Sequence, residues 1–335
     1  MIKDFSVKKI LKYSALLLIV FLFYLFPEKQ VVQKNESTFN EQNIKYHDIF
    51  LMDKNGYISK TNISINSVKT IDLVEELVEA MVIDGKYSSK VPNGFTAIIP
   101  TDTKLNSKKI EEDTVVLDFN SNLLDVKSEY EEKIIESIVY TMTSINNIKN
   151  VKILIDNEPL TKLPKTGKYI NETLDRNFGI NKEYDISNLD DITKVTIYYV
   201  NKNNVNQTYY VPVTKYVNTN QEKIKIIIDE LSSKISYESN LMSYLNYNAK
   251  LLDYSFDEDE VDLNFNEYLF DNKEQSKVLE EVIYSISYSV MDSYGVSKIN
   301  FFVNNKQIKQ KILIIFKIYC IIYLSLKKDR TWVPQ

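Results

Sequence analysis

Few residues in this 335-residue chain have the type and spacing to do chemistry. It holds one histidine, His47, and one cysteine, Cys320, so a Cys/His zinc site, a disulfide framework or a Cys-His dyad has almost no raw material. Acidic side chains do cluster: Asp253, Asp257, Glu258, Asp259 and Glu260 crowd one short stretch, and both hard cations and glycoside hydrolysis need grouped carboxylates. Glu111, Glu112 and Asp113 form a second, smaller run. Neither run has the ligand spacing of an EF-hand loop, and a pair of solvated turns accounts for both. His47 has no Ser or Cys at a spacing that suggests a partner. Tyr198, Tyr199, Tyr209 and Tyr210 could stack on a sugar, because aromatic faces suit that contact, but ordinary sheet packing is the simpler reading. With only six glycines, Gly-rich phosphate loops are absent as well. No catalytic, cofactor-binding or metal-ligating residue is therefore assigned, and the chain reads as non-enzymatic.

Any site must sit on elements that the rest of the sequence builds. A hydrophobic content of 44% with 26% charged residues is that of a globular chain, and its length suits about two domains. The net charge of −5 leaves no basic field for a nucleic acid. At the amino end, Lys3, Lys8, Lys9 and Lys12 precede the apolar run Ser14 to Phe26, a positive-inside export signal. From Ile10 to Phe26 is seventeen residues, which just reaches the roughly 17-residue minimum for a spanning helix when Lys12 snorkels. Pro27, Glu28, Lys29 and Gln30 follow, without the small-x-small site of a cleaved signal peptide. Residues 1–28 are read as a single-pass transmembrane signal anchor, residues 29–43 as a polar tether, and the remainder as extracytoplasmic.

The remainder is duplicated. Thr114–Asp125 aligns with Glu260–Asp271 at an offset of 146, so that Leu117, Phe119, Asn120, Leu123 and Asp125 meet Leu263, Phe265, Asn266, Leu269 and Asp271. Lys104-Leu105 falls on Lys250-Leu251, and Val74–Leu77 on Ile228–Leu231. Ile134–Tyr140 is paired with Val278–Tyr284, and Val151–Asn157 with Ile299–Asn305. Five blocks in one order define an internal repeat.

Each copy parses alike. Ile49–Met52 and Val195–Val200 open as strands, and the turn residues Asn55-Gly56 and Asn203-Asn204 lead into Tyr57–Ile65 and Val205–Val213. Ile71, Val74, Leu77, Val78 and Met81, like Ile224, Ile227, Ile228 and Leu231, have helical spacing. A short strand, an acidic turn and the alternating strand Val115-Leu117-Phe119 or Val261-Leu263-Phe265 come next. A long second helix bearing Ile134, Ile135, Ile138, Val139 and Met142, or Val278, Leu279, Val282 and Ile283, then leads to a closing strand. The expected fold class is α+β: two tandem repeats, each a mixed β-sheet with two helices in the order β-β-α-β-β-α-β, after an N-terminal transmembrane segment.

The V-x-L-x-F strands, the helix containing Tyr140 or Tyr284 and the closing strands that end at Asn157 and Asn305 resemble the GerM module of sporulation and germination proteins. The resemblance covers a first domain, 44–162, and a second, 191–309. The family commonly has Gly where Asn157 and Asn305 stand; Asn also tolerates positive φ, so the turn can be kept. Many relatives carry a lipid-modified cysteine, in place of which this chain has its apolar segment. The resemblance implies a structural role in the envelope between mother cell and forespore, with effects on spore formation and germination. Expected partners are the membrane, through the N-terminal helix, and envelope or sporulation proteins. The alternative is an exported module that binds peptidoglycan or another glycan. Residues 163–190, with Pro164, Gly167, Arg176 and Asn177, read as a linker whose length favours two separate units. The tail, 310–335, is apolar and basic, matches nothing in the first repeat and has no assigned role.

Overall fold

The computed structural model describes residues 45–233, 240–274 and 276–308. The expected anchor, tether and tail lie outside them, and no helix among the described residues is long and apolar enough to cross a membrane.

The first repeat runs β1 (Tyr46–Asp53), β2 (Ile58–Ser64), α1 (Thr70–Met81), β3 (Phe95–Thr96), β4 (Leu105–Glu111), β5 (Thr114–Phe119), α2 (Ser128–Met142), β6 (Asn150–Ile155) and β7 (Glu158–Pro159). Two short strands follow in the linker, β8 (Thr173–Leu174) and β9 (Glu183–Asp185). The second repeat runs β10 (Ile192–Lys202), β11 (Thr208–Asn218), α3 (Lys223–Ser232), β12 (Leu251–Asp257), β13 (Glu260–Phe265), α4 (Glu280–Tyr294), β14 (Lys298–Val303) and β15 (Lys306–Gln307). Within each repeat β4–β5 or β12–β13 pairs antiparallel, and β5–β6 or β13–β14 parallel. The second helix is the crossover that a parallel pair requires. Val115, Leu117 and Phe119, and Val261, Leu263 and Phe265, are completely buried.

Repeated polar residues fix the same joints twice. Asn120 accepts from the Lys104 amide at 3.0 Å and donates to the Asp102 carbonyl; Asn266 accepts from the Lys250 amide at 3.1 Å and donates to Asn248. Asp118 and Asn264 each accept, at 2.9 Å, from the backbone of Asn157 and Asn305. Both of those Asn residues do hold positive φ, 72° and 64°.

Three findings depart from the sequence reading. The repeat does not form one sheet. Its hairpin leaves the mixed sheet, and the two hairpins join into a common sheet of order β10-β11-β2-β1-β3 with β9 beside β11. Second, the turn with positive φ in the second hairpin falls at Asn206, against Gly56 in the first. Asn203 instead plays the part of Asp53: Asp53 Oδ1 accepts from the amides of Asn55 and Tyr57, and Asn203 Oδ1 from those of Val205 and Gln207. Third, the second helices pair one turn away from the sequence alignment, so that Tyr140 corresponds to Tyr288 rather than Tyr284. A shift of four residues keeps the same helical face, which is why apolar spacing could not tell the two registers apart.

Candidate functional site

The contacts that set the helix register lie at the junction of the repeats. The amide of Phe50 on β1 donates to Thr141 Oγ1 at 3.0 Å, and Ser137 Oγ donates to the Phe50 carbonyl at 2.5 Å. In the second copy the amide of Tyr198 on β10 donates to Ser289 Oγ at 2.8 Å. All of these groups are buried, so each hydroxyl satisfies a backbone group that the β-ladder leaves open. Phe50 stands three residues before Asp53 and Tyr198 five before Asn203. The difference of two is a whole pleat and preserves the face of the strand. The paired rings match too: Phe50 meets Tyr140 at 5.4 Å and Tyr198 meets Tyr288 at 5.5 Å between centroids.

A cation lies over each of these tyrosines, Arg176 at 4.9 Å from the Tyr140 ring and Lys60 at 5.1 Å from Tyr288. Arg176, from the linker, reaches both repeats. Its Nη1 pairs with Asp292 on α4 at 2.5 Å and donates to the Tyr198 hydroxyl at 3.3 Å, while Nε donates to Thr143 Oγ1 at 3.1 Å and Nη2 to Ser144 Oγ at 2.9 Å. The Asp292 side chain is only 2% exposed. Burial works against the guanidinium charge, but the adjacent carboxylate outweighs it and raises the Arg176 pKa further. Burial lowers the pKa of Lys60, opposed by its ion pair with Asp48.

Five residues later the linker makes a second crossing. Asn181, at φ 45°, accepts from the Ile58 amide at 2.9 Å and donates at 2.7 Å to the carbonyls of Ile58 on β2 and Pro212 on β11. Its side chain therefore bridges two strands whose direct register is confined to Tyr210 and Lys60. Lys182 reaches Glu132 at 2.5 Å and Glu136 at 2.8 Å on α2, and these carboxylates raise its pKa against the effect of its burial. Burial pushes Glu136 up, whereas Lys168 and Lys182 outweigh burial at Glu132 and hold it low. Gly179 (φ 79°) passes so near Thr214 that a Cβ would lie 3.2 Å from its methyl. Nearby, the buried Tyr209 hydroxyl of the second repeat donates to Asp53 of the first at 2.9 Å. The linker is thus a clasp. Ser137 with Thr141, and Ser285 with Ser289, were missed, although hydroxyls four apart on an apolar helical face are a signal that could have found them; nothing in the sequence singled out Asn181 or Asp292.

The residues weighed for chemistry are dispersed. The acidic runs occupy the β4–β5 and β12–β13 turns, where Glu112 and Glu258 take the positive φ, 55° and 48°. The carbonyls of Asp113 and Asp259 accept from the chain entering β6 and β14. His47 is half-buried on β1 with Nε2 3.1 Å from the Ile65 carbonyl, and burial lowers its pKa. Tyr198, Tyr199 and Tyr209 are buried in packing, while Tyr210 is half-buried in a cluster with Tyr284 and Tyr288. No group of three His, Cys, Asp or Glu suited to a metal ion occurs among the described residues; Cys320 lies outside them.

Fold and junction define a tandem-repeat α+β protein whose two copies share one sheet and are tied by their linker. The family model for sporulation and spore germination, Germane, matches twice, over residues 48–161 and 196–309. The chain is 32% identical over 266 residues to the spore germination protein GerM of Bacillus subtilis (strain 168), covering 77% of this chain and 71% of that one. A solved structure of the tandem GerMN domains of the sporulation protein GerM from Bacillus subtilis superposes with a TM-score of 0.71 at 30% identity, covering 78% of this chain and 92% of that one. The chain belongs to the Germane family, and a role in sporulation and germination follows from that membership.

Proposed function

We propose that the protein is a non-catalytic interaction scaffold of the sporulation envelope. Its N-terminal segment anchors it in the cell membrane by a single pass. The paired repeats face the space between mother cell and forespore and hold other envelope proteins there. The observation that carries this reading is the clasp: from the linker, Arg176 pairs with Asp292 of the second repeat and Lys182 with Glu132 and Glu136 of the first, an arrangement that fixes a shape. Family membership supplies the setting.

Deletion in the source organism tests it. Vegetative growth is expected to stay normal while heat-resistant spore counts fall. Complementation by the His47→Gln or Asp257→Asn/Glu258→Gln/Asp259→Asn protein is expected to restore them. A spore defect from either variant, in protein that accumulates normally, would overturn the non-catalytic reading.

A second reading, binding to peptidoglycan or another glycan, is favoured by the half-buried cluster of Tyr210, Tyr284 and Tyr288. It predicts that the full-length protein sediments with insoluble cell wall and that Tyr210→Ala with Tyr284→Ala releases it.

A further inference from the structure

Beside the Arg176 clasp the surface sinks into a cleft of about 580 Å³ between the repeats, within the roughly 300–1,000 Å³ usual for ligand sites. The partly exposed Tyr288 and Met291, with the buried Phe50, Val195 and Tyr198 behind them, give it an apolar and aromatic wall. Its charges are unbalanced. Five basic residues line it, Lys60, Lys149, Arg176, Lys194 and Lys223, against two acidic ones, Asp175 and Asp292, in a chain whose net charge is −5.

The acids are already engaged. Asp292 pairs with Arg176, and Asp175 accepts from the Asn177 amide at 2.7 Å and from its side chain at 2.9 Å. Lys60 has Asp48. Lys149, Lys194 and Lys223 have no carboxylate within ion-pair distance among the described residues; Lys194 donates only to neutral oxygens of Asn177, at 2.8 and 3.0 Å. Burial and then the like charge of Lys223 lower the pKa of Lys194, against the smaller opposing effect of Asp175 and Asp292. Lys223 also opens α3, at the positive end of the helix dipole, where a cation is disfavoured unless an anion is near. A separate observation points the same way. Ser293 lines the cleft, and its hydroxyl is shielded from solvent and has no hydrogen-bond partner among the described residues. An anion would relieve each of these costs together.

We propose that this cleft binds a ligand bearing a multiply charged oxyanion, a phosphate or pyrophosphate group, held by Lys149, Lys194, Lys223 and Ser293 with its organic body against the aromatic wall. Three cations without carboxylates exceed what a single carboxylate neutralises, which favours phosphate. A small phosphorylated molecule and a phosphate-bearing wall polymer present the same chemistry. The inference does not depend on the scaffold reading.

Calorimetric titration of the full-length protein in neutral detergent, at low ionic strength, with sodium pyrophosphate and with glucose 6-phosphate tests it. Saturable binding is expected for at least one of the two probes. Lys194→Gln with Lys223→Gln is expected to raise Kd at least tenfold, and Ser293→Ala about threefold. Lys162→Gln with Lys225→Gln removes the same charge from exposed positions outside the cleft and is expected to leave Kd within twofold. Should the Lys194/Lys223 variant lose its cooperative circular-dichroism melt, Lys149→Gln takes its place, with a rise of at least threefold. Competition by purified teichoic acid assigns the ligand to a polymer; its failure to compete assigns it to a small molecule. Absence of saturable binding to both probes, unchanged Kd in the cleft variants, or an equal loss in the Lys162/Lys225 control overturns the proposal.

Discussion

The acidic turn at 257–260 and the linker at 175–183 use charge in opposite ways. In the turn, four consecutive carboxylates stand where two strands reverse. Glu258 takes the tight conformation, and Glu260 meets Lys298 in an ion pair with both partners more than 40% exposed. Water screens such groups, and exposed pairs contribute little. In the linker, Arg176 and Lys182 are separated by uncharged residues, yet each is inserted between elements against a carboxylate that is almost or entirely withdrawn from solvent, Asp292 at 2% and Glu136 at 4% exposure. Charge density along the chain and energetic weight therefore diverge. What matters is whether folding desolvates the partner.

Arg176→Ala should have the largest effect. It leaves Asp292 buried without its cation and removes the contact with the Tyr140 ring, at a cost of about 3–5 kcal/mol. Chemical denaturation of the single variants and of the double with Asp292→Leu measures this. The double variant is expected to lose much less than the sum of the singles; strict additivity would mean that the pair does not couple the repeats. Asn181→Gly keeps the positive φ while deleting the bridge to Ile58 and Pro212. It should cost about 1–3 kcal/mol, the range for leaving buried backbone partners unpaired. At the other extreme, Asp257→Asn with Glu258→Gln and Asp259→Asn should stay within about 0.5 kcal/mol of the parent, as surface changes usually do. A loss near that of Arg176→Ala would erase the contrast between the two regions.

The contrast also shows what could be read from the chain. Local pattern was enough for the repeat: alternation at Val115, Leu117 and Phe119 marked a buried strand, and Asn120 aligned with Asn266, which the structure shows to hold the same joint twice. Turn chemistry placed the reversal correctly at Asn55-Gly56 but missed Asn206, because Asn203-Asn204 carries an equally strong local signal and only the backbone shows that Asn203 accepts from the turn rather than forming its apex. Helical periodicity could not separate Tyr284 from Tyr288, one turn apart on one face. The clasp and the cleft were not legible. Polar residues in a linker look alike whether solvated or buried, and only long-range pairing brings Arg176 to Asp292, which lies 116 positions away. The shared sheet was hidden for the same reason, since strand pattern fixes a face and not a neighbour.

Differential scanning calorimetry of the full-length protein tests most directly whether the linker makes the two repeats one cooperative unit. One transition is predicted for the parent, and two resolved transitions for the variant carrying Arg176→Ala, Asn181→Gly and Lys182→Ala together, because the repeats keep their own helices and mixed sheets when the clasp is cut. Two resolved transitions in the parent, or a single unshifted transition in the triple variant, would contradict it.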